Sequence, residues 1–166
     1  AAGVPAPRIS SSKSAIPSPL VLDVVITSSW SSSKSAARSA AAGGCQGIVL
    51  PRRGGCDICP LVIKSSAGTV FRAPLLRCDS LPEALAELRR GGWKISILDG
   101  HARLSLFDPR DDGARVFVLG GETAGVSPAV RELADENLRI PMANGVESLN
   151  VAVTAALVAF RARLGR

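Results

Sequence analysis

Apolar positions in this chain come in short continuous runs, separated by amphipathic or alanine-rich stretches, so that strand and helix patterns alternate. Pro19 to Thr27 holds Leu20, Val21, Leu22, Val24, Val25 and Ile26, a run that predicts a buried strand. Ser28 to Lys34 is nearly all serine and predicts a flexible loop. Ser35 to Ala42 reads as an alanine-rich helix stopped by Gly43-Gly44, and Gly47 to Leu50 as a short strand ending at Pro51. Cys59 to Ser66 is expected as a short helix and Phe71 to Arg77 as an extended segment. Leu81 to Arg90 is an amphipathic helix with Ser80 as its cap, Pro82 in its first turn and Gly91-Gly92 at its end. Its Leu81, Leu85 and Leu88 share one face. Trp93 to Leu98 and Arg115 to Leu119 read as strands, Ser127 to Asp135 as a short helix, and Asn137 to Ile140 as a short strand. Ser148 to Arg163 closes the chain as a helix.

The run Val116-Phe117-Val118-Leu119 shows no polar alternation, which fits a parallel sheet covered on both faces. Alternating strands and helices therefore predict an α/β fold with a mostly parallel sheet flanked by helices. Ligands in such folds sit beyond the carboxyl ends of the strands. That rule directs attention to the loops after Leu119 and Ile140.

Composition narrows the picture further. The balance of 46% hydrophobic and 20% charged residues is that of a globular chain rather than a disordered one. No apolar run approaches the roughly 20 residues of a membrane-spanning helix. A formal charge of +6 points to a polyanionic partner, with RNA or DNA ahead of acidic proteins. Cys56 and Cys59 form a C-x-x-C pair, but no second pair at zinc spacing follows and His101 is the single histidine. The expectation is no metal, with Cys45, Cys56, Cys59 and Cys78 as reduced thiols. Residues 1–40 are rich in Ser, Ala and Pro with Asp23 alone acidic, faintly like an organelle transit peptide. We divide the chain into an atypical, poorly ordered segment 1–19 and a single domain 20–166. The chain opens on Ala1 rather than Met, which suggests that an upstream piece has been trimmed.

Two segments carry candidate chemistry. Gly120-Gly121-Glu122-Thr123-Ala124-Gly125 follows a buried strand, and its glycines let the backbone turn sharply and approach a ligand closely. It is neither a phosphate-binding P-loop nor a dinucleotide fingerprint. An ordinary turn with a solvated Glu122 stays open beside a ligand loop. The second segment runs Ile140-Pro141-Met142-Ala143-Asn144-Gly145-Val146-Glu147-Ser148-Leu149-Asn150 into a helix of small residues. Ser148 is a candidate helix cap, and the Asn150 amide can bridge neighbouring loops. Ile140, Met142 and Leu149 would form an apolar wall, beside backbone groups able to read a purine edge.

Together these segments resemble the SpoU, or TrmH-like, branch of the SPOUT methyltransferases, a family of RNA 2′-O-ribose methyltransferases. The shared pattern is an apolar strand with a G-x-E-x-x-G turn, then I-P-M at Ile140-Pro141-Met142 and S-L-N at Ser148-Leu149-Asn150. Gly44 to Pro51 and Lys64 to Gly68 add to the likeness, leaning towards members that modify a guanosine in large-subunit ribosomal RNA. The resemblance covers roughly residues 20–164. It implies the SPOUT fold, with a C-terminal deep trefoil knot that holds S-adenosyl-L-methionine. It also implies a homodimer whose active site borrows residues from the partner subunit. By position, Gly120, Ile140 and Leu149 would contact the cofactor and Met142 and Ser148 would line its pocket. Leu119 and Gly121 belong to the same cofactor-binding set.

The family's first motif, N-x-G-A-x-x-R, is altered here. Arg38 matches its arginine, but Ser32 replaces the asparagine, Lys34 the glycine and Ser35 the small residue after it. The implied catalytic set is Arg38, Glu122 and Asn150, with Glu122 able to hold an arginine by a charged hydrogen bond. Arg52, Arg53 and Arg72 are the candidate RNA contacts, since nothing corresponds to the N-terminal RNA-binding domain of the longer members. The leading reading is an active RNA 2′-O-methyltransferase; the alternative is a fold of the same kind that binds cofactor or RNA without catalysis. An unrelated α/β small-molecule enzyme fails to explain I-P-M and S-L-N together. The expected compartment is the cytoplasm, with a mitochondrion or plastid as the alternative.

Overall fold

The computed structural model describes residues 23–27, 30–51, 75–109, 113–121 and 125–164. Segment 1–19, the expected helix from Cys59 to Ser66, and Arg52, Arg53, Arg72 and Glu122 all lie outside the described residues.

Among the described residues, seven strands form one sheet: β1 (Asp23–Thr27), β2 (Gly47–Pro51), β3 (Leu75–Cys78), β4 (Lys94–Leu98), β5 (Leu104–Ser105), β6 (Arg115–Leu119) and β7 (Glu136–Arg139). Their order is β3-β2-β1-β6-β4-β7-β5, and every neighbouring pair is parallel. The helices among the described residues are α1 (Trp30–Gly43), α2 (Leu81–Arg90), α3 (Pro128–Arg131) and α4 (Val151–Leu164).

Continuous apolar strands serve two cores because successive side chains point to opposite faces. Ile48, Leu50, Phe117, Leu119 and Leu138 meet Ala36, Ala40, Val151, Ala155, Val158 and Ala159 from α1 and α4. Val49, Ile95, Ile97, Val116 and Val118 face the other way, against Leu85 of α2 and Val130 of α3. On α2, Leu81 and Leu88 pack against that second core, as the heptad-like spacing predicted. Its Ser80 hydroxyl accepts from the Glu83 N–H at 3.5 Å, and the chain leaves the helix through Gly92 at φ 89.

A buried polar triad crosses three strands. Arg115 and Ser96 are 1% and 0% exposed. The Arg115 guanidinium donates to the Ser96 hydroxyl at 3.1 Å and to Glu136, and Ser96 donates to the same Glu136 oxygen at 2.7 Å. β6, β4 and β7 are thereby tied side by side.

The larger departures from the sequence-based expectation are three helix boundaries and one additional strand. Helix α1 begins at Trp30, so most of the loop expected over Ser28 to Lys34 is helical instead. Serine costs only about 0.5 kcal/mol per helical position relative to alanine. Packing of Ala36 and Ala40 against α4 outweighs that penalty. The expected Ser148 cap is incorrect: α4 starts at Val151, and the Asn150 side-chain oxygen accepts from the Ala152 N–H at 2.8 Å. Asn150 holds the cap instead, its side-chain oxygen taking one of the N–H groups that the first turn leaves unpaired. The helix expected to reach Asp135 ends at Arg131, since Asp135 is drawn to β4: its N–H donates to the Ile95 carbonyl at 2.9 Å, and its carboxylate accepts from the Ile95 N–H at 2.8 Å. Strand β5 was not anticipated, its two residues being too few to leave a pattern.

Helices α1 and α4 approach so closely that a Cβ on Gly43 would lie 2.3 Å from the Ala159 Cβ and 2.8 Å from its backbone. Gly43→Ala is therefore expected to lower stability by about 1–3 kcal/mol, because backbone cannot swing aside as a side chain can. Thermal unfolding checks this; an unchanged midpoint would show that the two helices do not meet as described.

Candidate active site

Because the sheet is parallel, β4, β6 and β7 all deliver their carboxyl ends to one side. There a cavity of about 370 Å³ opens. Leu98 to His101 supply one wall, Leu119 to Gly121 with Gly125 and Val126 a second, and Ile140, Met142 and Glu147 to Leu149 a third. Arg131 of α3 and Val151 and Thr154 of α4 complete it. A cavity of this size lies in the roughly 300–1,000 Å³ range of small-molecule pockets.

The glycine-rich turn is closed by a backbone bridge, Gly121 and Gly125 exchanging N–H···O bonds of 3.1 Å in both directions. Gly125 sits at φ 61, and a Cβ on Gly120 would lie 3.0 Å from the Gly125 backbone. The turn therefore needs glycine both for backbone conformation and for contact across its base. The closing segment packs onto the first wall: a Cβ on Gly100 would meet the Glu147 carbonyl at 3.6 Å.

All seven residues assigned to cofactor binding on sequence grounds (Leu119, Gly120, Gly121, Ile140, Met142, Ser148 and Leu149) line this single cavity. Of the expected catalytic residues, Glu122 lies outside the described residues, and the other two are not brought to the cavity. Arg38 is exposed on α1 and Asn150 caps α4, and neither lines the cavity. What sequence reasoning missed is the wall from Leu98 to His101, and Arg131. The end of the Trp93 to Leu98 strand was a signal for the first, by the same carboxyl-end rule that pointed to the other two loops.

The Asp99 carboxylate accepts from the Arg131 guanidinium at 2.7 Å and from the His101 N–H at 3.0 Å. These bonds, the guanidinium's first, hold its pKa below the ordinary 3.8 against a smaller opposing effect of burial. A lowered carboxylate pKa adds stability above the ordinary value, lost as pH falls through the folded value. Asp99→Asn should thus be less stable than wild type near neutrality, by under about 1 kcal/mol for so exposed a pair. Denaturant midpoints should show that gap closing below the ordinary pKa of 3.8. A gap that persisted unchanged to about pH 2 would contradict the assignment.

Comparison with known proteins places this geometry. Residues 35–160 match the SpoU rRNA Methylase family. The chain is 35% identical over 125 residues to the 23S rRNA (guanosine-2′-O-)-methyltransferase RlmB of Burkholderia sp, covering 75% of this chain and 51% of that protein. It is 38% identical over 125 residues to the RlmB of Xylella fastidiosa, covering 75% and 50%. The chain thus spans about half the length of these curated relatives. Its structure resembles the SpoU methyltransferase AviRb from Streptomyces viridochromogenes in complex with the cofactor AdoMet. That likeness has a TM-score of 0.78 and 28% identity, over 96% of this chain and 67% of that one.

Proposed function

The chain belongs to the SpoU rRNA Methylase family, and on that premise we propose that it transfers a methyl group from S-adenosylmethionine to a ribose 2′-hydroxyl of RNA. A guanosine of large-subunit ribosomal RNA is the substrate its relatives' names favour. The observation that carries this reading is the convergence of the glycine turn with Ile140, Met142, Ser148 and Leu149 on one cavity.

The residues present fit an adenosyl cofactor. Ile140, Met142 and Leu149 offer apolar surface. Met142 and Glu147 to Leu149 make no backbone hydrogen bond among the described residues, which leaves their amides and carbonyls to read a purine edge. The bound cofactor supplies an electrophilic methyl on a cationic sulfur, a leaving group that needs no metal. The protein's work is to place the 2′-hydroxyl in line with that methyl and to help its proton depart. Arg38 is our candidate for that second task, acting as an orienting charge on hydroxyl and phosphate rather than as a free base.

Arg38 lies outside the cavity of its own chain, so we assign it to the cavity of a second copy in a homodimer. We also propose that the closing segment, which lies against the first wall, threads the chain as a trefoil knot. The alternative of a non-catalytic binding module draws on Ser32 and Lys34, which lie within a helix where the family motif has asparagine and glycine.

Calorimetric titration with S-adenosylmethionine should give saturable binding that Leu149→Arg abolishes; a folded wild type that does not bind would overturn the cofactor reading. With labelled methyl and ribosomal RNA, Arg38→Ala should lose roughly 10²–10⁴-fold in rate. Mixing Arg38→Ala with Leu149→Arg chains should restore transfer, because one intact cavity then meets one intact arginine. Cofactor binding without transfer by wild type would favour the binding module.

A further inference from the structure

Among the described residues, the ion pairs Arg89–Asp135, Arg90–Glu87 and Arg115–Glu136 involve no residue that lines the cavity. Asp99–Arg131 is different, since both partners line it. The pair joins the loop after β4 to α3, two elements 32 positions apart in the chain. Each partner also makes a second bond to a residue that lines the cavity. Asp99 Oδ1 accepts from the His101 N–H at 3.0 Å, and Arg131 Nε donates to the Val126 carbonyl at 3.2 Å. One chain of hydrogen bonds therefore runs from His101 through Asp99 and Arg131 to Val126, and all four residues line the cavity.

Magnitudes decide what such a pair is for. The side chains of Arg131 and Asp99 are 46% and 19% exposed, and pairs open to solvent contribute little to global stability. The buried Arg115–Glu136 pair already ties the strands beneath, at 2% and 18% exposure. Holding the sheet together thus leaves Asp99–Arg131 with no task, whereas holding the loop after β4 against the glycine turn gives it one. That loop is anchored to β7 at its first residue, the Asp99 N–H donating to the Leu138 carbonyl at 2.8 Å. Beyond that point, the Ala102 N–H donates to the Asp99 carbonyl at 3.0 Å, and the Asp99 side chain adds its bonds to His101 and to Arg131.

We propose that Asp99 and Arg131 are positioning residues: they latch the loop after β4 to the wall formed by Val126, and so preset the cavity for the adenosyl cofactor. The inference rests on the cofactor reading above. Preorganisation of this kind acts on affinity, because an unlatched loop must be ordered when the ligand arrives.

The test is a double-mutant cycle on the full chain, with Asp99→Asn, Arg131→Gln, the double variant and Arg131→Lys. The Kd for S-adenosylmethionine is read by calorimetry and the thermal midpoint alongside. Each single substitution should raise Kd roughly three- to tenfold, and the double variant should bind no worse than the weaker single. Arg131→Lys should recover part of the loss, since it keeps the charge but not the second hydrogen bond. Midpoints should move by no more than about 4 °C. The latch is overturned if folded single variants bind as wild type does, or if their losses multiply in the double. Unfolding of the near-isosteric Asp99→Asn would also overturn it, by showing the pair to be structural. A wild type that binds no S-adenosylmethionine removes the cofactor reading itself, an outcome distinct from a wild type that binds and variants that bind equally.

Discussion

A guanidinium buried among apolar side chains must be neutralised where it lies, and this constraint governs the sheet. Arg115 is 1% exposed, so its charge cannot be left to water. Glu136 and Ser96 answer it, one from each of the next two strands. The triad stands near the amino end of β6, at the opposite end of that strand from the cavity. A register slip in β4 or β7 would strand the charge and move Leu98 or Ile140 off the cavity wall together. Loss of one partner of such a pair costs roughly 3–5 kcal/mol. The loops are thus set by a contact they do not touch.

Above that base, the cavity follows from parallel topology and small residues. Parallel neighbours put three loops on the same side, where side chains far apart in sequence meet without any long-range motif. Alanine and glycine on α1 and α4 let those helices lie nearly in backbone contact, so α4 stays pressed on β6, and Glu147 to Leu149 of the non-helical segment before it line the cavity. Arg161 of α4 adds to this, its guanidinium 4.6 Å from the centre of the Phe117 ring. In the proposed reaction, that non-helical segment is what leaves backbone groups free for a purine.

How much could be read from sequence depended on the range of the interaction. The α/β class, the parallel sheet, and helix Leu81–Arg90 with its Ser80 cap were legible because periodicity and capping are local. Seven cavity residues were legible because I-P-M, S-L-N and the glycine turn belong to a family pattern. The loop from Asp99 to His101 and its partner Arg131 were not, since an exposed arginine on a four-residue helix carries no periodic mark of what it meets. Serines at the start of α1 misled for a related reason: their local preference is weak, and a contact with α4 decides the matter. Ser148 looked like a cap because cap chemistry is shared by serine and asparagine, and the choice shows only in the fold, where α4 starts at Val151 and Asn150 accepts from the Ala152 N–H.

The central claim is that the cavity at the ends of β4, β6 and β7 receives an adenosyl cofactor. A crystal structure grown with S-adenosylmethionine tests it most directly. The adenine is expected against Ile140 and Met142, with the cofactor bounded by Gly120 and Leu149. Cofactor density elsewhere on the molecule, with this cavity filled only by water, would contradict it.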